Sequence, residues 1–163
     1  MINLKPNQVF ADICCSDGFF AIPAAQIVGK NGKVYALDID KNAISVLKER
    51  AKKEELKNIV TTVGNAEETV LCEECGDIVF FANDLHDFRD QSKVLANARR
   101  TIKASGRLVD VDWKKKSMLM PGPPPRIRLS ETEASNLIKN AGFDIETIGE
   151  AGPYHYIIIA KKS

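Results

Sequence analysis

The sequence lacks the features that direct a protein to a membrane or to nucleic acid. No apolar run approaches the ~20 residues of a membrane-spanning helix, and residues 1–6 are too short and too polar for a signal peptide. Positive charge is not in excess either, since 23 Lys and Arg residues are matched by 22 Asp and Glu residues. The composition therefore gives no support for a nucleic-acid partner. We expect a cytoplasmic protein of one domain, residues 1–163, whose cysteines experience a reducing environment.

Cysteine is scarce, but two of the four cysteines have the spacing of a zinc or redox site. Cys72 and Cys75 form this C-x-x-C pair. Zinc needs four ligands, and Cys14 and Cys15 are expected at the opposite edge of the sheet. We therefore expect no metal site and interpret Cys72 and Cys75 as ordinary small residues, with a disulfide or redox pair as the alternative. The basic run at 114–116 is expected to be a solvated loop.

Glycine is also scarce at the turn where a dinucleotide-binding protein needs it. An apolar segment at 8–13 precedes a turn of small residues and a helical pattern over 18–28. A second apolar segment at 33–38 ends in Asp38, whose carboxylate is placed to accept hydrogen bonds from ribose hydroxyls. This outline predicts a nucleoside-binding strand–helix–strand unit without the G-x-G-x-x-G motif of dinucleotide sites.

The charges around the turn indicate which nucleoside it binds. Gly18 is the only glycine there, and Asp12 and Asp17 flank the turn. Two carboxylates would repel a pyrophosphate, whereas they favour a cofactor that carries an amino group and a sulfonium. Asp12 also ends a buried strand, where a carboxylate needs a partner. We expect Asp12 to orient the amino end of the cofactor.

The rest of the chain alternates strands and helices, which favours a mostly parallel α/β sheet. Asp40 is the predicted N-cap of a helix whose apolar side contains Ile44, Leu47 and Ala51. Ser130 and Glu133 form a predicted capping box for the last helix. Further strands are predicted at 58–63, 77–82, 107–112, 144–149 and 154–161, and a further helix at 90–103. The last two strands are close enough in sequence for an antiparallel hairpin.

The turn Asp12-Ile13-Cys14-Cys15-Ser16-Asp17-Gly18 resembles the first motif, D-x-G-x-G-x-G, of the class I S-adenosylmethionine-dependent methyltransferases. Cys14 and Ser16 stand where that family has glycine. The segments at 34–40, 64–67 and 83–88 are similar to the family's second motif, its adenine-contacting segment and its segment after strand four. The resemblance implies a Rossmann-like α/β fold with seven strands, helices on both faces and an antiparallel closing strand. It also implies S-adenosylmethionine as cofactor, bound by Asp12, Cys14, Ser16, Asp17, Gly18, Asp38, Ile39, Asn65, Ala66 and Asn83.

The tail resembles small methyltransferases of the ubiquinone and menaquinone biosynthesis type. The segments that carry this likeness are Asp112-Trp113-Lys114, Gly122-Pro123-Pro124 and Gly152-Pro153-Tyr154-His155-Tyr156. The long loop at 113–129 is expected to line the acceptor pocket. The resemblance places Trp113, Tyr154 and His155 at the acceptor, although His155 could equally be a packing residue.

Catalytic candidates come from the carboxyl end of the fourth strand, where open α/β sheets bind ligands. We expect His86 to line the pocket, and it is also a candidate general base, with Asp84 and Asp87 as its possible orienting groups. A loop histidine without chemistry remains the alternative. We expect methyl transfer from S-adenosylmethionine to an unidentified small molecule. A non-catalytic protein that keeps the fold is the main alternative, and a nicotinamide-dependent oxidoreductase is the second; oligomeric state stays open.

Overall fold

The structure is a computed structural model that describes residues 2–115 and 121–163. Its strands are β1 (Val9–Ile13), β2 (Lys33–Asp38), β3 (Ile59–Val63), β4 (Gly76–Ala82), β5 (Ile102–Trp113), β6 (Phe143–Ala151) and β7 (His155–Lys162). Its helices are α1 (Ala21–Val28), α2 (Lys41–Lys53), α3 (Gln91–Thr101) and α4 (Glu131–Asn140). The strands form one sheet in the order β3-β2-β1-β4-β5-β7-β6.

The sheet is parallel except for β7, which pairs antiparallel with both β5 and β6. Helices α1 and α2 pack on one face, around an apolar cluster that includes Phe10, Leu47 and Phe80. Helices α3 and α4 pack on the other face, around a cluster that includes Phe81 and Ile138. The predicted fold class, a mostly parallel seven-stranded sheet with an antiparallel closing strand, is confirmed.

Local capping signals in the sequence identify two helix starts correctly. The Asp40 carboxylate accepts a hydrogen bond of 2.8 Å from the backbone N–H of Asn42, at the start of α2. Ser130 and Glu133 form the predicted capping box of α4. These side chains satisfy N–H groups that the first helical turn leaves without partners, and each cap typically contributes about 1 kcal/mol.

Two predicted helix ends are wrong. Helix α1 begins at Ala21 rather than at residue 18, because Gly18 has a φ of +90° that no right-handed helix contains. Helix α3 ends at Thr101 rather than at 103, and the chain then enters β5 at once.

A Cβ on Gly106 would lie 2.6 Å from the carbonyl oxygen of Gly76, so a glycine is required where β5 closely approaches the start of β4.

The interpretation of Cys72 and Cys75 as ordinary small residues is also wrong. They form a disulfide in the loop before β4, with their Cα atoms 5.9 Å apart. Backbone hydrogen bonds from Glu74 N–H to the Arg100 carbonyl and from Cys75 N–H to the Thr101 carbonyl hold this loop against the end of α3. The loop therefore folds back on itself and brings the two sulfur atoms together.

Neither a membrane-spanning helix nor a metal cluster is found in the described part of the chain. None of its helices is long and apolar enough to cross a bilayer. Within the same residues, no three His, Cys, Asp or Glu side chains are grouped so that they could hold a metal ion.

Candidate cofactor and active site

The candidate site residues come together at the edge of the sheet formed by the carboxyl ends of the parallel strands. The turn at 14–18 follows β1, Asp38 ends β2, and Asn65 follows β3. The segment at 83–86 follows β4, and Asp112 lies next to the last residue of β5. Open α/β sheets bind ligands at this edge, next to the position where the strand order reverses, which here is between β1 and β4.

The turn after β1 keeps a glycine-like backbone although two of its residues carry side chains. Cys14 has a φ of +60° and Ser16 a φ of +49°, and both angles lie in the left-handed region. The backbone N–H of Cys15 donates to the Leu37 carbonyl at 2.9 Å, and the N–H of Ser16 donates to Asp38 Oδ2 at 2.8 Å. These bonds attach the turn to the end of β2. The turn therefore keeps the backbone path that glycine normally provides, although the Cβ atoms of Cys14 and Ser16 remain on it.

Asp38 is positioned by two backbone groups and still has acceptor capacity. Its Oδ2 accepts from Ser16 N–H and its Oδ1 accepts from Asp40 N–H, each at 2.8 Å. A carboxylate oxygen has two lone pairs, so each oxygen can accept one further hydrogen bond. Next to it, the Ile39 side chain is 70% exposed and provides an apolar surface at the same edge.

The side chains of Asn65 and Asp17 are already engaged within the protein. Asn65 Oδ1 accepts a hydrogen bond of 2.9 Å from Glu67 N–H, which fixes the turn after β3, and the neighbouring Ala66 is buried. The Asp17 carboxylate pairs with Arg50 of α2 at 2.9 Å. Asp17 therefore attaches the turn to α2 through its side chain.

Asp12 is a buried acid with an oxygen that no group of the described protein satisfies. It is 2% exposed, and its Oδ2 has no hydrogen-bond partner. Burial and then the nearby charge of Asp38 raise the pKa of Asp12 to about 8, against the opposing hydrogen bond from Ala21 N–H. An unsatisfied buried carboxyl group costs free energy, and a cationic ligand would remove that cost.

Asp84 lies immediately after β4, close to both neighbouring strand ends. Its Oδ2 accepts a long hydrogen bond of 3.3 Å from Ala82 N–H. Burial raises the pKa of Asp84 to about 8; the Ala82 hydrogen bond opposes this effect, and the charges of Asp12, Asp112 and Asp38 add to it. The preceding residue, Asn83, has a φ of +66° and a buried Oδ1 without a partner.

His86 is oriented by Asp112, not by Asp84. Its Nδ1 lies 2.8 and 2.9 Å from the two carboxylate oxygens of Asp112, and its Nε2 lies 3.5 Å from Asp87. Burial lowers the pKa of His86, but the hydrogen bond to Asp112 and the charges of Asp112, Asp87 and Asp84 outweigh it and raise the pKa. The side chain is only 2% exposed. His86 is therefore a buried imidazole held between two carboxylates, which favour its protonated form.

The predicted acceptor residues lie on a different face from His86. Asp112 and Trp113 are consecutive in β5, so their side chains point to opposite faces of the sheet. Trp113 packs against its cross-strand partner His155, with ring centroids 4.1 Å apart. Burial is the main cause that lowers the pKa of His155, whose Nε2 is buried without a partner. Tyr154 is 42% exposed in the hairpin turn.

Arg128 was not predicted from the sequence, yet it organises the loop after β5. It is 2% exposed and donates to the carbonyl oxygens of Pro123 at 2.8 Å, Lys114 at 3.0 Å and Pro121 at 2.9 Å. The guanidinium also lies 5.6 Å from the centre of the Trp113 ring. Arg128 therefore holds residues 121–128 against the end of β5.

The solvated-loop prediction for the basic run is wrong at Lys114. This side chain is 7% exposed, and its Nζ pairs with Glu150 at 2.9 Å. Lys115 pairs with Glu133 of α4 at 2.8 Å. Residue 116 lies outside the described part of the chain, as do residues 117–120 of the predicted acceptor loop.

Together, the sheet order and this edge define a nucleoside-binding α/β protein, and comparison with known proteins identifies its family. Residues 4–141 match the family model of the methyltransferase domain, so the chain belongs to that family. It is 31% identical over 108 residues to a demethylmenaquinone methyltransferase of Alkalihalophilus pseudofirmus, covering 66% of this chain and 46% of the relative. A demethylmenaquinone methyltransferase of Bacillus mycoides is 29% identical over 119 residues, covering 73% and 50%. The chain thus spans about half the length of these curated relatives.

Solved structures give the same result. A S-adenosylmethionine-dependent methyltransferase from Aquifex aeolicus has a TM-score of 0.91 and 28% identity, covering 98% of this chain and 85% of that one. A putative type 11 methyltransferase from Sulfolobus solfataricus has a TM-score of 0.76 and 28% identity, covering 95% and 83%. The predicted resemblance to class I methyltransferases, and S-adenosylmethionine as the cofactor, are confirmed. The residues present fit this cofactor, because Asp12 offers an unsatisfied buried oxygen and the turn keeps its glycine-like backbone.

Proposed function

We propose that residues 1–163 act as one domain that transfers a methyl group from S-adenosylmethionine to a small-molecule acceptor at the carboxyl edge of the sheet. The observation that carries this proposal is the position of Asp84. It follows the strand next to the cofactor turn, and its pKa of about 8 lies close to a physiological working pH. Once it is ionised, this carboxylate would be placed to take a proton from an acceptor.

The cofactor would be held by groups from four strand ends. Asp38 would accept hydrogen bonds from the ribose hydroxyls, and Ile39, Asn65 and Ala66 would surround the adenine. Asp12 would receive the amino group of the methionine part through its free Oδ2. The backbone of Cys14, Ser16, Asp17 and Gly18 would border the same ligand, and Asn83 would close the site from β4. When bound, the cofactor supplies an activated methyl carbon on its sulfonium.

The protein's own contribution is to place the acceptor in line and to remove its proton. A correctly oriented nucleophile gains several kcal/mol through proximity alone. Asp84 would receive the proton and is the proposed catalytic residue. Since the His86 ring is buried, we propose that His86 acts as a positioning residue, which fixes the segment after β4 through Asp112.

The acceptor class is suggested by the relatives, which are demethylmenaquinone methyltransferases. A reduced, hydroxylated quinone-type ring is therefore the first candidate. Transfer of a methyl group to a ring carbon or to a hydroxyl oxygen replaces a C–H or O–H bond, so one proton leaves the acceptor, which agrees with a base at Asp84. The Tyr154 and Trp113 rings would form the rim on the α1 side of the edge. We further propose that the enzyme works in the cytoplasm, where the Cys72–Cys75 disulfide would be kept reduced.

The test is methyl transfer from radiolabelled S-adenosylmethionine to a panel of reduced quinones and small phenols, measured on the purified chain. We expect product with at least one acceptor and a fall of about 10²- to 10⁴-fold in kcat with Asp84→Asn. Asp40→Asn is the matched control, because it removes an exposed carboxylate at the same edge while asparagine keeps the helix cap. Unchanged turnover in Asp84→Asn would refute the role of Asp84. Cofactor binding without transfer to any acceptor in the panel would favour the non-catalytic alternative.

A further inference from the structure

We infer that Asp12 and Asp84 make cofactor binding release protons, and that Asp84 distinguishes S-adenosylmethionine from its demethylated product, S-adenosylhomocysteine. The two ligands differ in one positive charge, because the product has a neutral thioether instead of a sulfonium. This inference rests on the cofactor and the fold, and it does not depend on the acceptor.

The two acids come from neighbouring strands at the reversal point of the sheet. Asp12 lies opposite Phe80 of β4 in the strand register, and Asp84 follows β4 by two residues. Asp12 has a fully buried oxygen without a partner, and Asp84 has a single weak hydrogen bond, of 3.3 Å. A carboxyl group with so few donors is poorly stabilised as an anion.

The surroundings of both acids are acidic on every side that the structure describes. Asp38 faces them from β2. The thiols of Cys14 and Cys15 lie in the turn after β1, and burial, followed by the nearby carboxylates, raises the pKa of each thiol. Asp87 and His86 follow β4, and the His86 ring lies between the carboxylates of Asp112 and Asp87, 2.8 Å from the first and 3.5 Å from the second. From β5 come Asp112 and Asp110, and Asp110 is itself buried without a partner.

No lysine or arginine of the described residues balances this charge. Within residues 2–115 and 121–163, no lysine or arginine forms an ion pair with Asp12 or Asp84. The basic residue attached to the cofactor turn, Arg50, is paired with Asp17. Both acids therefore hold a proton in the free protein near neutral pH, consistent with their pKa values of about 8.

A cationic ligand favours the ionised form of Asp12 and Asp84 over the protonated form, because an opposite charge within a few ångströms stabilises a carboxylate. In the proposed placement, the ammonium group lies at Asp12 for both ligands. The Asp84 carboxylate lies near Cys14 of the cofactor turn, and in this placement it would face the sulfur, where only S-adenosylmethionine brings a positive charge. Binding of S-adenosylmethionine would thus release two protons and binding of the product one. The sulfonium charge is lost in the reaction. Asp84 would then keep a proton, and the affinity of the protein for the product would be lower than for S-adenosylmethionine.

The test is calorimetric titration of the free protein with each ligand between pH 5.5 and 7, where the amino group of both ligands stays protonated. One released proton tightens binding tenfold per pH unit. We therefore expect the Kd to fall up to 100-fold per pH unit for S-adenosylmethionine and about tenfold for S-adenosylhomocysteine. Proton release is read independently from the binding heat in buffers of different ionisation enthalpy.

Asp84→Asn isolates the difference between the ligands. The amide resembles the protonated acid in shape and charge, and a thermal melt checks that the variant folds. In Asp84→Asn, we expect the Kd of both ligands to fall about tenfold per pH unit. In Asp40→Asn, the two ligands should keep the different pH dependences that they show with the native protein. Equal pH dependence of both ligands in the native protein, or a difference that persists in Asp84→Asn, would overturn the inference. Neither result depends on whether methyl transfer occurs.

Discussion

Replacing Ser16 by glycine should stabilise the protein, because Ser16 has a φ of +49°. A non-glycine residue in this left-handed region costs about 1–2 kcal/mol. Glycine removes that cost but loses about 0.5–1 kcal/mol through the greater freedom of the unfolded chain. Ser16 is exposed, so no packing is lost. The net gain should be about 0.5–1 kcal/mol, and it should be smaller for Cys14→Gly, since Cys14 packs partly against the core.

Urea denaturation of Ser16→Gly and Ser16→Ala measures this gain directly. Alanine keeps the Cβ atom and hence the strain, so it should give no increase in the free energy of unfolding. The double variant Cys14→Gly with Ser16→Gly should also bind S-adenosylmethionine more tightly in calorimetry. The strain argument is refuted if Ser16→Gly is no more stable than Ser16→Ala.

Three further substitutions test other parts of the site. Asp38→Ala should weaken S-adenosylmethionine binding by about 2 kcal/mol or more in calorimetry, because two charge-assisted hydrogen bonds are lost; unchanged affinity would exclude Asp38 as the ribose ligand. Burial raises the pKa of Asp110 well above its ordinary value, so the folded state keeps a proton that the unfolded chain releases above about pH 4, and stability should fall as the pH rises. Asp110→Leu should flatten that fall and add about 1–3 kcal/mol at pH 8 in urea denaturation; a loss of stability there would contradict the reasoning. Arg128→Met removes the donor to three carbonyl oxygens, and the fluorescence of Trp113, the only tryptophan, should shift to the red as the loop releases it; an unshifted spectrum would show that the loop holds without Arg128.

The sequence predicted the parts of the fold that depend on local signals. The caps at Asp40 and Ser130 could be predicted because each acts within three residues of its own position. The left-handed turn after β1 could be placed by its motif, although its altered residues gave no information on φ. The acid at the tip of β2 followed from the same strand–turn–helix pattern.

The pairing of His86 with Asp112 could not be predicted in this way. The two residues are 26 positions apart, and their contact depends on the register between β4 and β5. One signal was present in the sequence. Asp110 and Asp112 alternate along an apolar strand, which places both carboxyl groups on one buried face. Such a pattern is costly in a core and indicates a partner elsewhere in the chain.

Arg128 was missed, and the Cys72–Cys75 disulfide was given only as an alternative, for a different reason. The partners of Arg128 are backbone carbonyl oxygens, which every residue carries and which leave no mark in the sequence. The disulfide depends on how the loop before β4 folds back against α3. Both features are set by loop conformation, which periodicity does not encode.

The position of β7 has a consequence for the order in which the protein assembles. This strand lies between β5 and β6 in the sheet, yet both of its neighbours precede it in the chain. During synthesis, β5 therefore remains an unpaired edge until residues 155–162 leave the ribosome, and β6 has no partner strand at all. An open edge of this kind can pair with other chains. The strand that carries Asp110 and Asp112 is thus open to misassembly in the growing chain, and a chaperone would protect it by covering β5 until β7 arrives.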